Sequence, residues 1–179
     1  MTRLAILWLL LGALIPVPSP AQGVRFATDA SAPLSAKADK IIWQQAIGRA
    51  DFSGAAHITQ GPLSIQADTM QLLMSPSGVA QSLVSQGQVV VLSSPGPGPQ
   101  DGVHRADADR AHYDLIANTL LLSGNVQVRQ NGAGKAGKMS GASLKIDMQT
   151  GLARILGAPV LSGETPKNGK PGRARIELE

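Results

Sequence analysis

Residues 53–68 read SGAAHITQGPLSIQAD, and they alternate. Ala56, Ile58, Leu63 and Ile65 fall on one side of two successive segments; His57, Thr59, Ser64 and Gln66 fall on the other. Between the segments Gln60-Gly61-Pro62 has the composition of a tight turn. A period of two on both sides of a turn belongs to paired strands with one packed face and one wetted face. The Gly-led segment then recurs. Gly54/Ala56/Ile58 is followed by Gly87/Val89/Val91, Gly124/Val126/Val128 and Gly157/Pro159/Leu161, with the glycines 33, 37 and 33 residues apart. An Ala-Asp pair interleaves at 38–39, 67–68 and 108–109, with Ala142-Ser143 as a degenerate copy. One unit is therefore a Gly-led strand, a turn and an Ala-Asp strand, repeated along the chain. The glycines supply positive φ or close backbone approach where a strand turns a corner, and the aspartates shape turns through side-chain to backbone bonds.

The alternation continues outward. Tyr113, Leu115 and Ala117, then Leu120 and Leu122, then Leu144, Ile146 and Met148 keep the same period, with turns expected at 75–78, 93–102, 117–119, 131–137 and 149–151. No segment after residue 22 holds a helical period over the eleven or more residues a helix needs. Composition agrees. Twenty Gly and twelve Pro in 179 residues are poorly tolerated by long helices, where Gly costs about 1 kcal/mol and Pro about 3 kcal/mol. At 43% hydrophobic and 3% aromatic, the core is one of aliphatic residues. So few aromatics also argue against a stacking platform for single-stranded nucleic acid, and the absence of cysteine excludes disulfides, thiolate zinc sites and a cysteine nucleophile.

The chain opens with Arg3, an unbroken apolar run from Leu4 to Ile15, and the small residues Ser19 and Ala21. Twelve residues from 4 to 15 fall short of the roughly twenty needed to span a membrane, so the segment reads as a cleavable secretory signal over 1–21 with the cut before Gln22. An N-terminal linker is expected over 22–35, the repeated domain over 36–162 and a flexible basic tail over 163–179.

The order and spacing of Ala38-Asp39-Lys40-Ile41-Ile42-Trp43, the run 53–61, Ile65-Gln66-Ala67-Asp68 and Ser123-Gly124-Asn125-Val126-Gln127-Val128 resemble the OstA-like family of periplasmic lipopolysaccharide-transport proteins. The resemblance covers residues 36 to 162. It implies an all-β, V-shaped β-jellyroll, the β-taco, whose stacked antiparallel strands carry lipopolysaccharide from the inner to the outer membrane. It also implies inner-membrane LptC-like and outer-membrane LptD-like partners, head-to-tail self-association, and neither nucleic acid nor cofactor. On that reading Ile41, Trp43, Ile58, Ile65, Leu72, Val91, Leu115, Leu122, Val126 and Ile146 face inward and line one apolar groove, with Lys37, Lys40, Arg49, Arg105 and Arg110 as rim cations for an acidic head group. The same apolar signature suits a filled sandwich core, and a structural β-solenoid that binds envelope proteins through its edges is the alternative. No nucleophile elbow, HExxH or P-loop motif marks an enzyme. His104 and His112 lie near Asp107, Asp109 and Asp114 at no common metal-ligand spacing and read as surface residues.

Overall fold

In the computed structural model, residues 25–94, 103–132, 135–157 and 175–178 are described. The strands are β1 (Leu34–Lys37), β2 (Lys40–Gln44), β3 (Arg49–Gln60), β4 (Leu63–Met74), β5 (Ala80–Ser93), β6 (Val103–Asp114), β7 (Thr119–Gly132), β8 (Lys135–Asp147), β9 (Ala153–Leu156) and β10 (Arg175–Leu178). From β3 to β9 each strand pairs antiparallel with the next, as short turns between alternating segments require, and the sheet does not close. Both edges are split. β1 and β2 each pair with a different half of β3, and β10 and β9 with different halves of β8. The signal segment, the Pro-rich loop over 95–102 and Pro159 lie outside the described residues. Among the described residues the only helical element is one 3-10 turn, Gln45–Ile47.

Every long strand is bent at its repeat motif. Across β3 and β4, Ser53 pairs with Thr69 and Ala56 with Ala67, so Gly54 and Ala55 oppose Asp68 alone. Gly87 and Gln88 likewise oppose Asp109, and Gly124 and Asn125 oppose Ala142. Two residues against one is a β-bulge, which bends its strand and increases the local twist. All six residues on the bulged side have positive φ, with Gly54 at 74°, Gly87 at 74° and Gly124 at 76°. Inward-facing residues therefore step by four on the bulged strands, from Phe52 to Ala56, Ser85 to Val89 and Leu122 to Val126. On the partner strands they step by three, from Ala67 to Met70 and Ala108 to Ala111. The parity change keeps one face apolar through the corner.

The repeated aspartates serve that corner. The carboxylates of Asp39, Asp68 and Asp109 occupy the space that a Cβ would take on Gly54, Gly87 and Gly124. Asn125 Nδ2 donates to Asp109 Oδ2 at 2.9 Å. The fourth copy is shifted from its expected position. Val126 pairs with Gly141 as Ala56 pairs with Ala67 and Val89 with Ala108, so Gly141 holds the alanine's place and Ala142, not Ser143, the aspartate's. Ala142 N–H donates to Gly157 O at 3.2 Å, matching Asp39 N–H to Gly54 O at 2.9 Å. Gly141 is needed because a Cβ there would meet Ile155 and Gly157 O.

The bends divide the sheet into two halves. The lower half comprises 49–53, 69–74, 80–86, 110–114, 119–123 and 143–148; the upper comprises 56–60, 63–66, 89–93, 103–107, 126–132 and 135–141. Their inner faces meet in one hydrophobic cluster drawn from both. Two turns differ from expectation. Asp114 Oδ1 accepts from the N–H groups of Ile116 and Ala117 at 3.0 and 2.8 Å, so the β6–β7 turn starts before 117. The β7–β8 pairing continues to Gly132 and Lys135, which shortens the turn expected at 131–137.

Candidate functional site

Seven of the ten residues expected to line a groove are buried in the shared interior. Ile58, Ile65, Val91 and Val126 come from the upper half, and Leu72, Leu122 and Ile146 from the lower. Leu115, half-buried, packs against the same cluster from the turn after β6. Ile41 and Trp43 depart from the expectation. Their register opposite Phe52 and Ala50 puts them on the inward side, because directly opposed residues share a face. They are nevertheless 51% and 48% exposed: β2 is the outermost strand there, and no described residue buries them. Ile42 and Ile47 are also exposed, so this edge presents an apolar patch.

The five cations do not gather at a rim. Lys37, Lys40, Arg49, Arg105 and Arg110 each alternate with inward neighbours and stand on the outer face of the sheet. Two are engaged by carboxylates. Arg49 Nη2 lies 2.9 Å from Asp51 Oδ2, and Gln71, ahead of Arg49, holds the Asp51 carboxyl below its ordinary range. Arg105 binds Asp107 through Nε and Nη2 at 2.9 and 2.6 Å, which pushes its guanidinium pKa upward, and Arg129 stands 3.8 Å from the same carboxylate.

Polar groups enter the interior at the hairpin ends of the upper half. Gln60, Ser93 and His104 are buried there, and Tyr113 of the lower half reaches across, its hydroxyl donating to Gln60 Oε1 at 2.8 Å. His104, expected at the surface, faces inward because it alternates in phase with Ala106 and Ala108. Ser85 is fully buried in the lower half, and its hydroxyl has no hydrogen-bond partner among the described residues. Such a group costs about 1–3 kcal/mol until something satisfies it.

The mouth between the halves carries a segment that sequence had assigned to a linker. Arg25 bridges to Leu152, and Phe26 N–H donates to Gly151 O at 2.8 Å, both on the turn that ends the lower half. Phe26 is buried with its ring 5.3 Å from His104. Ala27 N–H donates to Ser93 Oγ at 2.7 Å, and that hydroxyl donates to Ala27 O at 3.0 Å. Gln60 Nε2 then donates to Ala30 O and Ala32 O at 3.1 and 3.2 Å. Phe26, an isolated aromatic outside any alternating run, gives no periodic signal by which sequence reasoning could place it.

The Tyr113–Gln60 bond predicts a pH signature. Burial pushes the Tyr113 hydroxyl above its ordinary pKa, and only the protonated form donates. The folded value is the higher one, so this contribution is full below the unfolded pKa of about 10 and is lost as pH rises through the folded value. Tyr113→Phe should destabilise the protein at neutral pH by about 1–3 kcal/mol, since Gln60 loses its donor. Urea titrations of the two proteins should converge at strongly alkaline pH; a constant gap would contradict the assignment.

Comparison with known proteins agrees with the architecture. Seventeen chains of solved structures match. Among them is LptH from Pseudomonas aeruginosa, described as the LptA-homologous periplasmic component of the conserved lipopolysaccharide transport device. It is 21% identical, with a TM-score of 0.63 over 86% of this chain and 98% of LptH. No curated protein sequence matches. The family described as LptA/(LptD N-terminal domain) LPS transport protein matches residues 34–152, from the first residue of β1 to the last before β9. The chain belongs to this LptA/LptD N-terminal family of lipopolysaccharide-transport proteins.

Proposed function

We propose that the protein is a non-enzymatic periplasmic carrier that takes the acyl chains of lipopolysaccharide between its two half-sheets and relays the lipid from the inner to the outer membrane. The observation that carries this reading is an apolar interior running along the described, unclosed sheet, from Phe52 and Ile58 near one edge to Leu144 and Ile146 near the other. Each CH₂ transferred from water into that interior contributes about 0.8 kcal/mol. Val91, Leu120, Leu122, Val126 and Ile146 have no exposed surface, so the halves must part to admit a chain. The non-covalent mechanism needs no reacting group: lipid leaves one interior for a like interior alongside. The leader sequence and the family support a periplasmic site of action.

A photo-crosslinking side chain placed at inward Val91 or Val128 should capture lipopolysaccharide, whereas one at outward Val90 or Arg129 should not. Equal capture on both faces would reduce the interior to a core and overturn the reading. The exposed apolar edge formed by Ile41, Ile42, Trp43 and Ile47 favours the head-to-tail association that a relay requires, through strand pairing at an open edge. Light scattering over a concentration series should show a growing mean mass that collapses toward the monomer in Trp43→Asp. A wild-type monomer at every concentration would remove the edge from the mechanism.

A further inference from the structure

The segment 25–33 crosses from one rim of the V to the other. It is tied to Gly151 and Leu152 at the end of the lower half, then to Ser93, His104 and Gln60 along the end of the upper half. Two turn glycines allow that path. The Phe26 carbonyl lies where a Cβ of Gly151 would stand, and Asp29 Cβ would be 2.9 Å from a Cβ on Gly61. Both glycines have positive φ, 70° and 55°. Three of the side chains that hold the segment, Gln60, Ser93 and His104, are the buried polar groups at the mouth.

We propose that residues 25–33 form a displaceable strap over the mouth, with Phe26 seated where an incoming apolar chain must pass. This rests on the carrier reading above for its physiological ligand. The strap is built to leave. Its one deeply buried apolar anchor is Phe26, while Ala27, Ala30 and Ala32 are held through backbone groups that water can satisfy equally well. The segment lies before β1 and belongs to none of the ten described strands, so it peels without breaking a strand of the sheet. Once it has left, Ser93 Oγ and Gln60 Nε2 face the mouth with the hydrogen bonds they gave the strap released, and the ligand that suits them has apolar chains beneath a polar head.

The test is a reversible staple. Arg25 and Leu152 are a directly opposed antiparallel pair whose neighbouring Phe26 N–H to Gly151 O bond makes them the closely spaced, non-hydrogen-bonded kind. Disulfide geometry favours such close Cβ atoms. The chain has no other cysteine. In Arg25→Cys/Leu152→Cys, the oxidised protein should take up N-phenyl-1-naphthylamine and lipopolysaccharide at least about tenfold more weakly than the reduced protein, because the binding-competent population is withdrawn. Phe26→Ala, shown by circular dichroism to be folded, should take up the dye more readily than wild type. Equal dye uptake by the oxidised and reduced forms would overturn the strap. A dye response that follows the staple while lipopolysaccharide binds neither form would uphold the strap and refute the ligand.

Discussion

Gly124→Ala should lower stability by about 2–5 kcal/mol, from two separable sources. A left-handed backbone costs an L-residue roughly 1–2 kcal/mol, and Gly124 sits at φ 76°. The new methyl also enters the space held by the Asp109 carboxylate, and crowding of this kind costs about 1–3 kcal/mol. Gly78 provides the control. Its φ is 81°, but a Cβ there would have nothing within 4 Å, so Gly78→Ala should show the backbone share alone. Adding Asp109→Ala to Gly124→Ala should recover the crowding share. Urea unfolding midpoints of the wild type and the three variants resolve the two sources, and equal losses at Gly78 and Gly124 would refute the role given to the aspartate.

Leu121 and Leu122 are adjacent residues of one type on one strand, and their truncations should differ several-fold in effect. Leu122 has no exposed surface and belongs to the shared core, whereas Leu121 is 38% exposed on the outer face. Leu122→Ala should cost about 2–5 kcal/mol, the sum of lost burial and the cavity left behind. Leu121→Ala should stay within about 0.5 kcal/mol of wild type, as surface substitutions do. Thermal unfolding of the pair reads the inward face of β7 directly, and similar losses would mean that the outer face is covered as well.

Much of this architecture was legible because period-two alternation reports which face of a strand is buried. Ile58, Ile65, Val126 and Ile146 could be placed from their neighbours alone, and the family followed from the spacing of Gly and Ala-Asp. The repeated glycines marked the corner, but its two-against-one construction was not legible. Whether Gly54-Ala55 stands against one residue or two depends on pairing across strands, which no single strand's pattern contains. The same ignorance of register misplaced the fourth motif copy on Ser143. Alternation places Ile41 and Trp43 on the inward face but does not give their exposure, because burial at an edge depends on what lies beyond it. The direction of the five cations was not legible either: a charge count gives none, and alternation with buried neighbours turns all five outward. Phe26, Ser93 and His104 meet only in the folded chain, at positions 26, 93 and 104, and no local pattern links them.

The strap also bears on the order in which the molecule assembles. Each long strand from β4 to β7 pairs only with its neighbours in the chain, so this part of the sheet can zip hairpin by hairpin with little loop-closure penalty at each step. Arg25 and Phe26 make the longest connection: they emerge from synthesis before every described strand, yet their partners Gly151 and Leu152 are made after β8. The first described residues to be made are thus among the last to find their places. Until then the interior stays uncovered along the mouth, and a nascent chain that pauses at this stage presents its apolar faces to whatever chaperone or lipid is at hand.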